Sequence, residues 1–166
     1  MTPRGLDPDA IAGKLRTMRR LLDELEHLGV VSADRFAQEF ATQLVVERIV
    51  SQLVDLAAAI NAHVAAVESG AAPQDLRRSF AAAADAGLID LDLAERLAPS
   101  AGLRNVLVHA YLELDVARLV AAVPLAVDEY GEYVRQVARW VADRTGTVLV
   151  GEGRTAGAQD GVSTGR

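Results

Sequence analysis

The sequence predicts an all-α fold: an up-and-down helical bundle with a long second helix. Three observations carry that prediction. Apolar residues recur at steps of three and four through most of the chain, the period of a helix with one buried face. Ala and Leu, both strong helix formers, supply much of an apolar content of 51%, while aromatic residues make up 4%. No segment alternates apolar and polar residues between turn signals except Thr147-Val148-Leu149-Val150, which is short and isolated.

Ile11, Leu15, Met18, Leu22, Leu25 and Leu28 mark one face of a first helix from Asp9 to Leu28. Asp7-Pro8 supplies its N-cap and first-turn proline, and Gly29 stops it. Ser32 or Asp34 caps a second helix, and no glycine or proline interrupts the pattern until Gly70. A helix from about residue 34 to residue 68 is roughly 50 Å long. One small core does not require that length, so part of it is expected to pack against a partner helix or a second chain. Pro73 opens a short helix from about Gln74 to Ala86, stopped by Gly87. Another begins at Leu91. Pro99-Ser100-Ala101-Gly102 is expected to interrupt or kink it before the chain resumes to about Leu112. The last helix runs from Asp115 to Arg144, with Pro124 inside it as an expected kink. Residues 1–150 read as one helical domain, and the Gly-rich segment 151–166, without periodicity, as a disordered tail.

A chain of 166 residues suits one domain with a real core. The absence of cysteine excludes disulfides and thiolate metal sites. No apolar run approaches the ~20 residues that span a bilayer, and Met1 to Asp7 lacks the apolar core of a secretory signal. The chain therefore reads as soluble and cytoplasmic, with no membrane partner. A net charge of −6 and the lack of a basic stripe argue against tight, sequence-independent duplex binding. They leave room for an enzyme that meets RNA at one small cationic site. Lys14 is the only lysine, and every other cation is an arginine, whose fork suits bidentate phosphate contacts.

The chemistry concentrates in Arg104-Asn105-Val106-Leu107-Val108-His109-Ala110-Tyr111. Arg104 is a permanent cation with a planar donor fork. His109 exchanges a proton near neutral pH. Tyr111 offers a phenol that donates, accepts or is modified. On a helix, Arg104 and Tyr111 share a face, and Asn105 and His109 are neighbours. Arg104 and His109 lie about 140° apart around the axis and roughly 7.5 Å along it. They flank one phosphodiester only if the start of this segment departs from ideal helix. Elsewhere, Glu47, Arg48 and Asp55 lie on the second helix, where a solvated face or intersubunit ion pairs is the plainer reading. Arg77-Arg78 reads as a solvated turn, and His27 and His63 as structural or exposed. No metal-ligand cluster and no cofactor motif stands out.

The octapeptide, with Gly102-Leu103 before it and Leu112-Glu113-Leu114-Asp115 after it, resembles the signature of the HEPN ribonucleases. More narrowly, it resembles the HepT-like toxins. Val46-Glu47-Arg48-Ile49-Val50-Ser51-Gln52-Leu53-Val54-Asp55 resembles that family's long second helix. The likeness covers roughly residues 9 to 144, and the octapeptide is its specific part. It departs from the family at Leu103, where an aromatic residue is common, and at Pro99 just upstream.

The resemblance implies a HEPN-like bundle and a toxin of a type VII-like toxin–antitoxin system. The implied activity is a metal-independent endoribonuclease that uses the 2′-hydroxyl of the RNA substrate as nucleophile. His109 would be general base or acid, Arg104 would stabilise transition-state charge, and Asn105 would orient His109 or the phosphate. The resemblance also implies a homodimer whose two motifs face one cleft. It implies a cognate MntA-like nucleotidyltransferase antitoxin that transfers AMP to Tyr111 as an inactivating switch, with no cofactor held by the chain itself. Two other readings stand beside it: a non-catalytic helical binding subunit that partners a nucleotidyltransferase, and a plain helical scaffold.

Overall fold

A computed structural model of the chain describes residues 5–109 and 115–146. Tyr111, Thr147 to Val150 and the tail 151–166 lie outside the described residues, and so does their expected structure. The described residues form α1 (Pro8–Leu28), α2 (Ala33–Gln38), α3 (Phe40–Ser69), α4 (Leu76–Asp85), α5 (Leu91–His109) and α6 (Val116–Thr145). They contain no strand.

Local signals set most of the boundaries. The Asp7 carboxylate accepts the Ala10 N–H at 2.9 Å at the start of α1, which satisfies one of the orphan donors of a helix N-terminus. Asp75 does the same for Arg78 N–H at 2.7 Å at the start of α4. Gly70 ends α3 with φ 77°, a conformation that costs glycine nothing.

Two boundaries differ from the sequence expectation. The expected helix from residue 34 to 68 is broken at Glu39, with φ −123° and ψ 70°, so the long helix is third in order. Side chains make the break. Arg35 Nη1 donates to the Leu28 carbonyl at 2.6 Å and to the Val30 carbonyl at 3.0 Å, and its Nε donates to Glu39 at 3.0 Å. Thr42 Oγ1 donates to the same Glu39 carboxylate at 2.9 Å. These hydrogen bonds, Thr42 first and Arg35 second, hold the Glu39 carboxyl below its ordinary range. The second difference is Pro99, which does not interrupt α5: the helix runs through it from Leu91 to His109. Pro124 sits inside α6, where the sequence placed it.

The long α3, about 45 Å by its residue count, packs against each of the other five helices and is the axis of the bundle. Val46, Leu53, Val54, Ile60 and Val64 of α3 are wholly buried, each worth about 1.5–3 kcal/mol of removed apolar surface. Contrary to the sequence expectation, α3 is long and apolar enough by length and composition to cross a membrane. Of its most apolar window, 61% is buried inside the fold, as in the core helix of a packed bundle. Its N-terminal end is different: Phe40, Leu44 and Val45 are 63%, 48% and 46% exposed.

One polar network crosses the core. The Tyr133 hydroxyl donates to Asn61 Oδ1 at 2.7 Å, and Asn61 Nδ2 donates to Ser79 Oγ at 3.4 Å. Tyr130 and Tyr133 meet edge to face with ring centroids 6.4 Å apart. Burial pushes both phenols above their ordinary value of 10.0. A raised phenol pKa favours the protonated folded state, so the stability it contributes is complete below pH 10 and is lost as pH rises beyond it. Alkaline titration is therefore expected to unfold the protein cooperatively above pH 10. Tyrosinate absorbance and helix loss should rise together. Ionisation of all three tyrosines with helicity intact would contradict this packing.

Candidate active site

Residues Arg104 to His109 of the motif are carried by the last turns of α5, and α3 supplies a partner for Arg104. Arg104 Nε donates to Asp55 Oδ1 at 2.8 Å and Nη2 to Asp55 Oδ2 at 3.2 Å. This is a bidentate fork, which fixes the plane of the guanidinium as well as its place. The Arg104 side chain is 22% exposed and that of Asp55 45%. Arg104 Nη1 has no partner among the described residues and is free to donate to a phosphate oxygen. Asp55 is thus neither a freely solvated carboxylate nor kept for another subunit: within this chain it holds the motif arginine.

Asn105 and His109 are both exposed, and neither makes a side-chain hydrogen bond among the described residues. Because α5 is helical through His109, the departure from helix that would bring Arg104 and His109 to one face does not occur. Arg104 turns toward α3, and His109 lies about 140° around the axis in solvent. One copy of the chain does not assemble the two groups.

The other two candidates on α3 part company. Arg48 is exposed and without a partner among the described residues. It lies seven residues before Asp55, on the same face of the helix. Glu47 points elsewhere and accepts from Gln43 Nε2 at 2.7 Å. His63 Nε2 accepts the Asp7 N–H at 3.1 Å, and His27 Nδ1 lies 2.6 Å from the Asp23 carbonyl, so both serve local structure. Arg78 bonds Gln74 at 2.6 Å, and Arg77 is exposed. Among the described residues no group of three His, Asp or Glu side chains is placed to hold a metal ion.

The sequence did not mark the surroundings of Arg104. Ser100, one turn before it, lies 2.7 Å from the buried Tyr130 hydroxyl of α6. The spacing of Ser100 and Arg104 was the only available signal, and serine on a helix has many ordinary roles.

Comparison with known proteins gives this geometry a context. The family model described as ribonuclease HepT-like matches residues 18–137. A tRNA nuclease HepT from Aphanizomenon flos-aquae is 32% identical over 133 residues, covering 80% of this chain and 90% of the relative. An mRNA nuclease HepT from Shewanella oneidensis is 28% identical over 130 residues, covering 76% and 94%. The solved structure of a tri-AMPylated HEPN toxin from Shewanella oneidensis in complex with an MNT antitoxin superposes with a TM-score of 0.69 at 26% identity, covering 78% of this chain and 96% of that one. A crystal structure of the toxin–antitoxin with AMP-PNP superposes with a TM-score of 0.68 at 26% identity, covering 78% and 98%. The likeness extends over nearly the whole length of these relatives and includes the helices that carry Asp55, Arg104 and His109. The chain belongs to the ribonuclease HepT-like family.

Proposed function

We propose that this chain is the toxin of a bacterial toxin–antitoxin pair, an endoribonuclease that works in the cytoplasm as a homodimer. The observation that carries the reading is the Arg104–Asp55 fork on a helix that also bears an exposed His109. An arginine gripped by one edge keeps its other edge for a phosphate. A solvated histidine suits proton transfer at neutral pH. The HepT relatives, described as tRNA and mRNA nucleases, supply the substrate class.

The dimer follows from two features. Arg104 and His109 of one copy face different ways, so both reach one phosphodiester only when a second copy turns its own α5 toward the first. The exposed apolar end of α3, with Phe40, Leu44 and Val45, provides surface for that copy to cover. In the resulting cleft the 2′-hydroxyl attacks the adjacent phosphorus and one His109 takes its proton. The 5′-oxygen leaves and receives a proton from the other His109. Arg104 Nη1 stabilises the extra negative charge of the five-coordinate phosphorus. Asn105 orients His109 or the phosphate. Arg48, on the face of α3 that also bears Asp55, meets a neighbouring phosphate. No metal takes part in these steps. The products are a 2′,3′-cyclic phosphate and a free 5′-hydroxyl.

The antitoxin is an MntA-like nucleotidyltransferase, as in the complexes of the relatives. The Tyr111 oxygen attacks the α-phosphorus of ATP, pyrophosphate leaves, and AMP remains beside the site. Its bulk and phosphate charge then compete with RNA for Arg104. Intact-mass analysis after incubation with such an enzyme and ATP is expected to show additions in units of AMP, with the first mapping to Tyr111 and cleavage lost in step. Full modification with undiminished cleavage would overturn the switch. Failure of the unmodified chain to cleave either tRNA or mRNA would overturn the ribonuclease reading.

A further inference from the structure

Pro99 lies inside α5, upstream of the motif. It has no N–H to donate, so the carbonyl of Glu95 receives no ladder hydrogen bond from it. The helix that carries Arg104 and His109 therefore lacks a rung where its first half meets the second. Side chains from other helices secure that second half.

Ser100 Oγ donates to the Leu97 carbonyl at 2.6 Å and lies 2.7 Å from the Tyr130 hydroxyl. A serine has one proton to give. With that proton on the Leu97 carbonyl, the Tyr130 phenol is the donor to Ser100 Oγ. The Tyr130 ring is 1% exposed, so the hydroxyl is delivered from a fixed, packed position on α6. Ser100 and Arg104 are four residues apart and stand one above the other on the helix. The motif half of α5 is thus pinned at two successive positions on one face: Ser100 to α6 through Tyr130, and Arg104 to α3 through Asp55.

We infer that Tyr130 and Ser100 are positioning residues for the ribonuclease site: their hydrogen bond fixes the motif half of α5 across the Pro99 gap and so sets Arg104 on Asp55. The inference rests on the ribonuclease reading for its kinetic consequence but not for its geometric one. Losing the hydroxyl lets the segment shift while its apolar contacts keep it folded. A displacement of about 1 Å at a reacting group is enough to cost 10–100-fold in rate.

The test compares Tyr130→Phe, Ser100→Ala, the double variant and Ser100→Thr in the full chain. Ser79→Ala serves as a control that removes a buried hydroxyl whose partners, Asn61 and the Leu76 carbonyl, lie outside α5. Bulk tRNA is the substrate, and the Arg104 Nε–H resonance is followed by NMR. Each hydroxyl-deleting variant is expected to lower kcat by about tenfold with KM unchanged. The double variant should be no worse than either single, and Ser100→Thr should restore most of the rate. Ser79→Ala should lower the melting temperature without touching kcat. The Arg104 Nε–H signal should be sharp and slowly exchanging in the wild type and Ser79→Ala, and broadened in Tyr130→Phe, Ser100→Ala and the double variant. Wild-type kcat in both variants, or multiplicative losses in the double, would overturn the inference. If the wild type cleaves no RNA, the ribonuclease reading fails and the resonance still decides: an unchanged Arg104 signal in Tyr130→Phe overturns the positioning role.

Discussion

Replacing His109 with alanine is expected to lower RNA cleavage by about 10²–10⁴-fold, the range that a positioned proton-transfer group supplies, while leaving the melting temperature where it is. The two halves of that expectation have separate causes. His109 is exposed and bonds no side chain among the described residues, so the folded state loses little with it. In the proposed cleft one copy's His109 takes the proton of the 2′-hydroxyl and the other copy's His109 gives one to the leaving oxygen, and water replaces neither well. Cleavage by His109→Ala within about threefold of the wild type would remove His109 from the chemistry, since one proton-transfer group accounts for far more than that. Melting should be measured alongside, because a large drop in stability would make the kinetic loss uninformative.

Asp55→Ala is expected to lower cleavage by about 10–100-fold, with the loss in kcat rather than KM. Here the magnitudes decide between two roles for the same ion pair. The Asp55 side chain is 45% exposed, and pairs this open contribute about 0–1 kcal/mol to stability. The carboxylate is therefore a poor staple, but its bidentate grip fixes the guanidinium plane, a property that catalysis uses and folding does not. Asp55→Asn separates charge from geometry. Its single acceptor oxygen holds one guanidinium nitrogen, so the rate should lie between those of the wild type and Asp55→Ala. A variant that melts several degrees lower yet cleaves at the wild-type rate would reverse the assignment and make Asp55 structural.

Much of the bundle is legible in the sequence because its signals are local. Gly29, Gly70 and Asp7-Pro8 mark helix ends through backbone conformation and capping, which depend on a few neighbouring residues. The break at Glu39 was not legible, because no glycine or proline makes it. Arg35 reaches back to the carbonyls of Leu28 and Val30, and such a reach cannot be read from periodicity. Pro99 was expected to interrupt or kink its helix, and it does not interrupt it. Proline marks a missing donor, but the packing of α5 against α3, α4 and α6 outweighs one lost hydrogen bond.

The site divides in the same way. Arg104, Asn105 and His109 stand together in the sequence as an unusual mixture on an apolar background, and α5 carries all three. That Arg104 belongs with Asp55, 49 residues away, depends on how α3 lies against α5. The 140° between Arg104 and His109 was legible from helical geometry alone. The structure sharpened it by showing helix through His109, which turns an awkward spacing into an argument for two copies.

That argument has a direct measurement. Arg104→Ala and His109→Ala proteins, each inactive alone, are mixed under conditions that exchange subunits, with heterodimer formation followed by native mass spectrometry. If Arg104 of one copy works with His109 of the other, each heterodimer keeps one Arg104 and one of the two His109 in the shared cleft, and cleavage should exceed that of both parents by at least about tenfold while staying below the wild type. Heterodimers that form and remain as inactive as the two parents would contradict a shared cleft and the account built on it.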